Sequence, residues 1–266
     1  MEIIVCVKPV LDPDLPPAKF AVDPKSNRVI PPEGIPPVMN PYDALAVEAA
    51  LRIKEAKKAG KVTVLTVGDA GADNVIRKAL AMGADEAVVL SDPAFAESDG
   101  FATARILAQA IQKLGKYDLI LCGRQAADWD QGIVGSALAE FLGIPVVTRA
   151  KAVYAGEGKV TVERITANGS ETLEVALPAL ITVSSEFGQA RIPSGWGIIK
   201  AAKKPIPAWG ASQVGVELAG VGNAGVRNSL VKLFIPSYQR KCEMVTGETP
   251  VEAAAKLANK IAGFKA

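Results

Sequence analysis

The segment Asp118-Leu-Ile-Leu-Cys122 leads directly into Gly123-Arg-Gln-Ala-Ala-Asp-Trp-Asp-Gln-Gly-Ile-Val-Gly135, and a helical run from Ser136 to Leu142 follows. The order is an apolar strand, a glycine-bounded polar loop and the first turn of a helix. The unpaired N–H groups and the positive dipole end of such a helix attract an anion. Arg124 adds a planar guanidinium suited to phosphate, and Ser136 adds a hydroxyl. The segment therefore predicts a phosphate site, with an ordinary strand-to-helix connection as the alternative.

Strands and helices alternate along the chain up to Pro145. Apolar runs predict buried strands at 3–7, 61–67, 87–90 and 118–122, and helices are predicted from Pro41, over 71–82, over 99–114 and after Gly135. This alternation predicts an α/β fold, a doubly wound, Rossmann-like parallel sheet with helices on both faces. Ligands of such sheets bind beyond the carboxyl ends of the strands, where the strand order reverses. This carboxyl rim of the sheet contains Lys8, Asn40, Gly68 and the Gly123 loop. Their convergence favours an adenine nucleotide as the ligand that carries the phosphate.

The pattern changes after Pro145. Alternating residues predict antiparallel strands over 146–154, 159–166 and 171–177, with a further strand over 179–183. Beyond Ser184 the periodicity is lost until about Thr249, and a last helix is predicted over 250–264. We therefore expect a nucleotide-binding α/β domain with an antiparallel extension over residues 1–184. Residues 185–266 are expected to form a long C-terminal arm that wraps a partner.

Composition excludes several classes of function. Hydrophobic residues make up 49% of the chain, which allows a large core, whereas 5% aromatic residues and a net charge of +2 argue against nucleic-acid binding. The chain has no histidine, which removes Ser-His-Asp and Cys-His catalysis and most zinc sites. No apolar run approaches a membrane span, and the three cysteines show no C-x-x-C spacing, so the cytoplasm is expected.

Seven short segments, in order along the chain, carry a family resemblance. They are 5–8, 39–41 with 46–50, 78–85, 123–126 with Asp128 and Asp130, 162–164, 171–173 and 177–182. Together these segments resemble the beta subunit of electron transfer flavoprotein. The resemblance implies a heterodimer with an alpha subunit that holds most of a redox FAD, and AMP bound in the beta subunit. It implies electron transfer from flavin dehydrogenases of the acyl-CoA dehydrogenase type to a downstream acceptor, without catalytic residues in this chain.

The resemblance implies a nucleotide site at the same rim of the sheet that the strand ends predict. Its expected residues are Cys6, Asn40, Pro41, Tyr42, Asp43, Val67, Gly123, Arg124, Gln125, Ala126, Asp128, Trp129, Asp130, Gly132, Ile133, Val134, Gly135 and Ser136. Some electron-bifurcating members carry a second FAD there instead of AMP and oxidise NADH. Their loop reads Gly-Arg-Gln-Ala, and Arg124 matches its arginine. Trp129 stands where their loop has glycine, which favours AMP. A stand-alone nucleotide sensor with the same sheet is a more remote alternative.

A partner-recognition segment is also implied by the resemblance. It comprises Arg191, Ile192, Pro193, Gly195 and Trp196. The family's leucine anchor falls on Gly195, so we expect the neighbouring Trp196 to take over the anchoring of the dehydrogenase. Lysines at 200, 203 and 204 either steer an acidic partner or form an ordinary solvated face.

Two other patterns are set aside. The G-x-G-x-x-G sequence over 220–225 lacks the preceding strand and following helix that a dinucleotide fingerprint requires. The carboxylate pairs Asp12/Asp14 and Asp128/Asp130 are expected to cap loop N–H groups and not to bind magnesium.

Overall fold

The computed structural model describes residues 1–69, 71–237 and 242–264. Its elements are β1 (Glu2–Cys6), β2 (Pro9–Val10), β3 (Ala21–Asp23), β4 (Arg28–Ile30), β5 (Val38–Met39), α1 (Pro41–Lys57), β6 (Lys61–Val67), α2 (Ala72–Met82), β7 (Glu86–Leu90), α3 (Gly100–Leu114), β8 (Leu119–Gly123), α4 (Val134–Leu142), β9 (Val146–Ala155), β10 (Lys159–Thr166), β11 (Gly169–Ala176), β12 (Ala179–Val183), α5 (Gly195–Lys203), β13 (Ala208–Trp209), α6 (Ala211–Val214), α7 (Gly222–Gly225) and α8 (Pro250–Gly263).

The main sheet has the strand order β11-β10-β9-β12-β8-β1-β6-β7-β13. Neighbouring strands are parallel from β9 to β13, and the pairs β9–β10 and β10–β11 are antiparallel. The chain passes from β1 to β6 and β7 on one side and later adds β8 on the other side of β1. The strand order therefore reverses between β1 and β8, which makes their carboxyl ends the expected ligand crevice. The predicted doubly wound sheet with an antiparallel extension is confirmed.

Each face of the sheet is covered by helices. Alternate residues of β1 point to opposite faces, as the period of a strand requires. Ile3 and Val5 join the core under α1 and α2, whereas Ile4 and Cys6 join the core under α3 and α4. The central strands are apolar on both faces because both faces are buried.

The strand β9 changes course at Arg149. This residue has a φ of 62°, and the pairing between β9 and β12 shifts register there. Further along, the amino group of Lys57 donates a 3.0 Å hydrogen bond to the carbonyl oxygen of Gly156. The turn that follows β9 therefore lies at the C-terminal end of α1, and the antiparallel extension packs over that helix.

The expectation of an irregular chain after Ser184 is wrong for residues 195–225. The helix α5 packs against α2, and β13 pairs with β7 at the edge of the sheet. Ala201, Ala211 and Val214 are buried in these contacts. This packing could not be predicted because α6 and α7 have only four residues each, too few to show a helical period.

The arm after Val226 differs from the rest of the chain. The predicted last helix is present as α8, and none of its side chains is buried. Large apolar side chains are exposed along the arm, namely Leu230, Val231, Phe234, Ile235, Met244, Val251, Leu257, Ile261 and Phe264. Within the described residues, no helix combines the length and the apolar character needed to cross a membrane.

Two glycines of α5 provide a test of how this helix is seated. A methyl group at Gly197 would lie 2.4 Å from the carbonyl oxygen of Ala81 on α2. A methyl group at Gly195 would have no atom of another packed element of the described structure within 4 Å. We expect Gly197→Ala to lower the free energy of unfolding by about 1–3 kcal/mol because the two helices must separate. Gly195→Ala, two residues away, should leave it unchanged or raise it by up to about 1 kcal/mol. Denaturant unfolding of both variants measures the difference, and equal effects would contradict the packing described.

Candidate functional site

One buried carboxylate joins the two strands at the point where the strand order reverses. Asp43, in the first turn of α1, accepts a 2.8 Å hydrogen bond from the N–H of Lys8, just after β1, and a 3.0 Å bond from the N–H of Gly123, at the end of β8. Burial raises the pKa of Asp43 to about 7, against the hydrogen bonds from Asn40, Lys8 and Gly123, which lower it. Both oxygens of Asp43 are thus occupied by backbone N–H donors, one from the end of each strand.

Gly123 leaves no room for a side chain beside this carboxylate. A Cβ atom on Gly123 would lie 2.3 Å from Oδ1 of Asp43 and 2.7 Å from Cβ of Tyr42. Glycine is required here because the strand end and α1 approach so closely, and not because of the backbone angle. The first glycine of the loop therefore fixes how α1 sits against β8.

Asn40 connects α1 to the Gly123 loop. Its side-chain amide donates to the carbonyl oxygen of Gln125 at 2.8 Å and accepts from the N–H of Ala127 at 3.2 Å. Asn40 occupies the N-cap position of α1, but its side chain makes no capping hydrogen bond to that helix. The side chain of Asn40 is used instead to shape the loop.

The N-terminus of α4 has backbone N–H groups that no side chain of the described residues caps. Its N-cap residue Ile133 has helical backbone angles. The first N–H groups of a helix have no acceptor within the helix itself. A Cβ atom on Gly135 would lie 2.6 Å from Cγ2 of Thr182, so the first turn sits directly over the end of β12. This combination of free N–H groups and a glycine-lined approach fits a phosphate.

Polar side chains hold the loop between Gly123 and α4. Nε of Arg124 donates to Oε1 of Gln125 at 2.8 Å, and Nε2 of Gln125 donates to Oδ1 of Asp130 at 2.7 Å. The amino group of Lys8 pairs with Asp128 at 2.6 Å. Asp130 has a φ of 51°, in the left-handed region, which an aspartate tolerates in tight loops. The loop is therefore held by its own side chains, with the guanidinium of Arg124 stacked 5.4 Å from the centre of the Tyr42 ring.

A cavity of about 410 Å³ adjoins the loop on the side of β12 and β9. It is lined by Arg124, Gln125, Asp130, Gln131, Gly132, Thr148, Arg149 and Thr182. Two guanidinium groups and two hydroxyls thus border one cavity beside the N-terminus of α4. The N–H of Arg149 donates to Oγ1 of Thr182 at 3.0 Å, so the hydroxyl proton of Thr182 is free to point elsewhere. Sequence reasoning missed Thr148, Arg149 and Thr182, because the bend of β9 brings Thr148 and Arg149 to the loop and the pairing of β12 with β8 brings Thr182 there.

The structure brings most of the expected site residues to one rim. Asn40–Asp43 and 123–136 adjoin each other, and Val67 lies at the end of β6, one strand beyond β1. Cys6 is buried, in register with Cys122 on the neighbouring strand, within the core under α3 and α4. The side chain of Trp129 is 50% exposed. Contact of any of the expected site residues with a nucleotide stays a prediction.

The partner-recognition segment is presented at the surface beside α1 and α2. Ile192 is 92% exposed and Trp196 is 65% exposed. Arg191, in contrast, is engaged by two glutamates of α1. Of the three lysines, Lys204 donates to the carbonyl oxygens of Ala84 and Asp85, so its amino group is held against the turn before β7.

The two patterns that were set aside lie in short turns and loops. Residues 218–225 fold as two short helical turns without the strand that a dinucleotide fingerprint requires. Within the described ranges, no group of three or more cysteine or carboxylate side chains is placed to hold a metal ion. Asp12 accepts a 3.0 Å bond from the N–H of Asp14, as expected for a loop carboxylate. Asp128 and Asp130 accept instead from the side chains of Lys8 and Gln125, so the expected caps on loop N–H groups are wrong for this pair.

A family model described as the electron transfer flavoprotein domain matches residues 29–214. Subunit CarD of the caffeyl-CoA reductase-Etf complex of Acetobacterium woodii is 40% identical, over 98% of both chains. The electron transfer flavoprotein subunit beta of Megasphaera elsdenii is 40% identical over 89% of this chain and 88% of its own. Protein FixA of Azorhizobium caulinodans is 35% identical over 97% of this chain and 93% of its own.

Because Asp43 accepts hydrogen bonds from two backbone N–H groups, its replacement by asparagine gives a test. In Asp43→Asn, one of the two facing N–H groups loses its acceptor and meets an NH₂ group instead. We expect the free energy of unfolding to fall by about 3 kcal/mol. Asp118 is a matched control at the other end of the same strands. Among the residues that the structure describes, one of its oxygens accepts a backbone N–H, that of Glu2 at 2.7 Å, and the other accepts none. Asp118→Asn keeps a carbonyl for that bond and should cost less than about 1 kcal/mol. Similar losses in both variants, measured by urea unfolding, would contradict the bridging role of Asp43.

Proposed function

This chain belongs to the electron transfer flavoprotein beta-subunit family, and we propose that it binds an adenine nucleotide and helps an alpha subunit to hold a redox FAD. In this role it passes electrons from flavin dehydrogenases of the acyl-CoA dehydrogenase type to a downstream acceptor. FAD supplies the redox chemistry when bound. The residues of this chain orient the nucleotide, shape the interface and present a docking surface. We place the protein in the cytoplasm, in keeping with its three free thiols.

The observation that carries the proposal is the uncapped N-terminus of α4 at the switch point of the sheet. The first turn of α4 lies over the end of β12, next to β8, and the guanidinium of Arg124 borders the cavity on that side. A phosphate would accept from the helix N–H groups and pair with Arg124. The adenosine portion would extend along the rim toward Asn40 and Tyr42. AMP supplies the one phosphate and the adenosine that this arrangement would hold.

A second candidate is a second FAD in place of AMP, in an electron-bifurcating complex that oxidises NADH. The cavity between Arg124 and Arg149 supports it, because a second guanidinium and the hydroxyls of Thr148 and Thr182 suit a second phosphate. A dinucleotide contains two linked phosphates, whereas AMP contains one. The two candidates therefore differ in whether Arg149 has a phosphate to bind.

The alpha subunit is proposed to cover the exposed arm. Apolar side chains such as Val231, Phe234 and Phe264 are 85%, 62% and 79% exposed. Large apolar groups gathered on a surface are typical of a protein interface. The arm is tethered to the rest of the chain at Asn27, whose side chain bonds to the backbone of Val231 and Leu233.

The dehydrogenase is proposed to dock on Ile192, Pro193 and Trp196. A tryptophan at the centre of an exposed apolar surface has the character of an interface hot spot. Lys200 lies 5.5 Å from the centre of the Trp196 ring and, with Lys203, adds positive charge beside it. An apolar hollow with an acidic rim would complement this surface.

The bound nucleotides of the purified heterodimer test the proposal directly. Chromatography of the released nucleotides should give one AMP and one FAD, or two FADs for the second candidate. We expect Arg124→Ala to lower occupancy of the beta-subunit site by about tenfold or more, because the charged hydrogen bonds to phosphate are lost. Arg149→Ala separates the candidates, since it should lower occupancy only if the ligand contains a second phosphate. A heterodimer with an empty site would contradict the proposal.

Replacement of the proposed anchor gives a second test. In Trp196→Ala we expect the KM for a reduced acyl-CoA dehydrogenase to rise about 10- to 30-fold, with kcat little changed, because a hot-spot side chain is lost. Tyr154 is a matched control because it is 58% exposed, on the antiparallel extension. Tyr154→Ala should leave the KM unaltered. Stopped-flow reduction of the flavin measures both, and an unchanged KM in Trp196→Ala would remove Trp196 from the docking surface.

A further inference from the structure

Arg191 is held by two carboxylates on α1. Its Nε donates to Glu48 at 2.7 Å, and its terminal nitrogens reach Glu55 at 2.5 and 3.1 Å and Glu48 at 3.3 Å. The backbone N–H of Arg191 also donates to Glu48, at 3.1 Å. We call this group of three side chains the Arg191 clamp. It engages the guanidinium on every one of its nitrogens, which leaves little of it for a partner.

The acid at the centre of the clamp is nearly buried. The side chain of Glu48 is 6% exposed, compared with 59% for Glu55. Burial alone would raise the pKa of Glu48, but the hydrogen bonds from Arg191 and Arg52 outweigh it and hold the pKa below its ordinary value. Glu48 is therefore a charged group that depends on these two arginines.

Arg52 secures the segment that precedes Arg191. It pairs with Glu48 at 2.7 Å, stacks 4.9 Å from the centre of the Phe187 ring and donates to the carbonyl oxygen of Gln189 at 3.3 Å. The chain from Phe187 to Arg191 is thus fixed on α1 by side chains one turn apart.

The segment is fixed on its other side by α2. The guanidinium of Arg77 donates to the carbonyl oxygens of Ala201 at 2.7 Å and Lys204 at 2.8 Å, at the end of α5. Close contact of Gly197 with Ala81 seats the start of the same helix. Ile192 and Trp196 therefore lie between two anchored points, although both side chains are largely exposed.

We propose that Arg191 is a positioning residue that holds Ile192 and Trp196 in their docking conformation, and not a residue that contacts the dehydrogenase. Exposed apolar side chains have no contacts of their own to fix them. A loop that is already ordered loses less conformational entropy when it binds than a loop that must become ordered. The hydrogen bonds of the Arg191 clamp order the segment by fixing it to α1. The inference rests on the proposed docking of a flavin dehydrogenase on this surface.

The test compares variants of the intact heterodimer in reduction by a short-chain acyl-CoA dehydrogenase. In Arg191→Gln and Glu48→Gln we expect the KM for the dehydrogenase to rise about 5- to 10-fold while kcat stays constant. Hydrogen exchange of residues 188–196 should become about tenfold faster, with β6 unchanged. Arg191→Lys keeps one ion pair, so its KM and its exchange rate should lie between those of the wild-type heterodimer and those of Arg191→Gln. Glu55→Gln changes only the exposed acid, which keeps the test valid if the Glu48 variant fails to fold.

The matched control is Lys159→Gln, which breaks a 2.8 Å ion pair with Glu174 on the antiparallel extension. It should change neither the KM nor the exchange of residues 188–196. A raised KM in Arg191→Gln without faster exchange would show that Arg191 contacts the dehydrogenase directly and would overturn the inference. An unchanged KM in the clamp variants, with a raised KM in Trp196→Ala, would also overturn it while the proposed function stands. An unchanged KM in all of them would count against the docking proposal itself.

Discussion

The hydrogen bonds from Lys8 and Gly123 to the carboxylate of Asp43 determine how the functional rim is assembled. At a switch point two parallel strands diverge into different connections, and the N–H groups that follow them lose the neighbours that would otherwise pair with them. A buried N–H without an acceptor is costly. Asp43 satisfies both groups with one side chain and places the N-terminus of α1 between β1 and β8. The glycine at 123, the turn at Lys8 and the position of Asn40 all follow from that placement.

The helix α1 serves both proposed functions of the chain. Its first turn shapes the nucleotide loop through Asn40 and Asp43, and its later turns hold the Arg191 clamp through Glu48 and Glu55. A helix is a more rigid support than a loop, so groups attached to it keep their relative positions. The nucleotide rim and the docking surface are therefore linked by one continuous element buried along most of its length.

Much of the fold and part of the site could be predicted from the sequence, because they depend on local patterns. The strand–helix alternation gave the parallel sheet, and the Gly123 loop gave the rim of the site. The residues that sequence reasoning missed depend on tertiary contacts. Arg149 is an ordinary strand residue in the sequence and reaches the cavity only because β9 bends there with a φ of 62°. Residues 195–225 carry too short a pattern to show that they pack on the sheet, and the ion pairs of Arg191 join positions more than a hundred residues apart.

The two exposed apolar surfaces differ in a way that bears on the kind of partner each suits. Ile192 and Trp196 lie on a segment fixed by ion pairs and helix packing at both ends. The arm beyond Val226 carries more apolar area, and α8 buries none of its side chains against the rest of the chain. A brief encounter, as between an electron carrier and its donor, gains from a surface that is ordered before binding. A permanent subunit contact can order a long arm once, at assembly, because a large apolar interface offsets that cost. The clamped surface is therefore suited to the dehydrogenase and the arm to the alpha subunit.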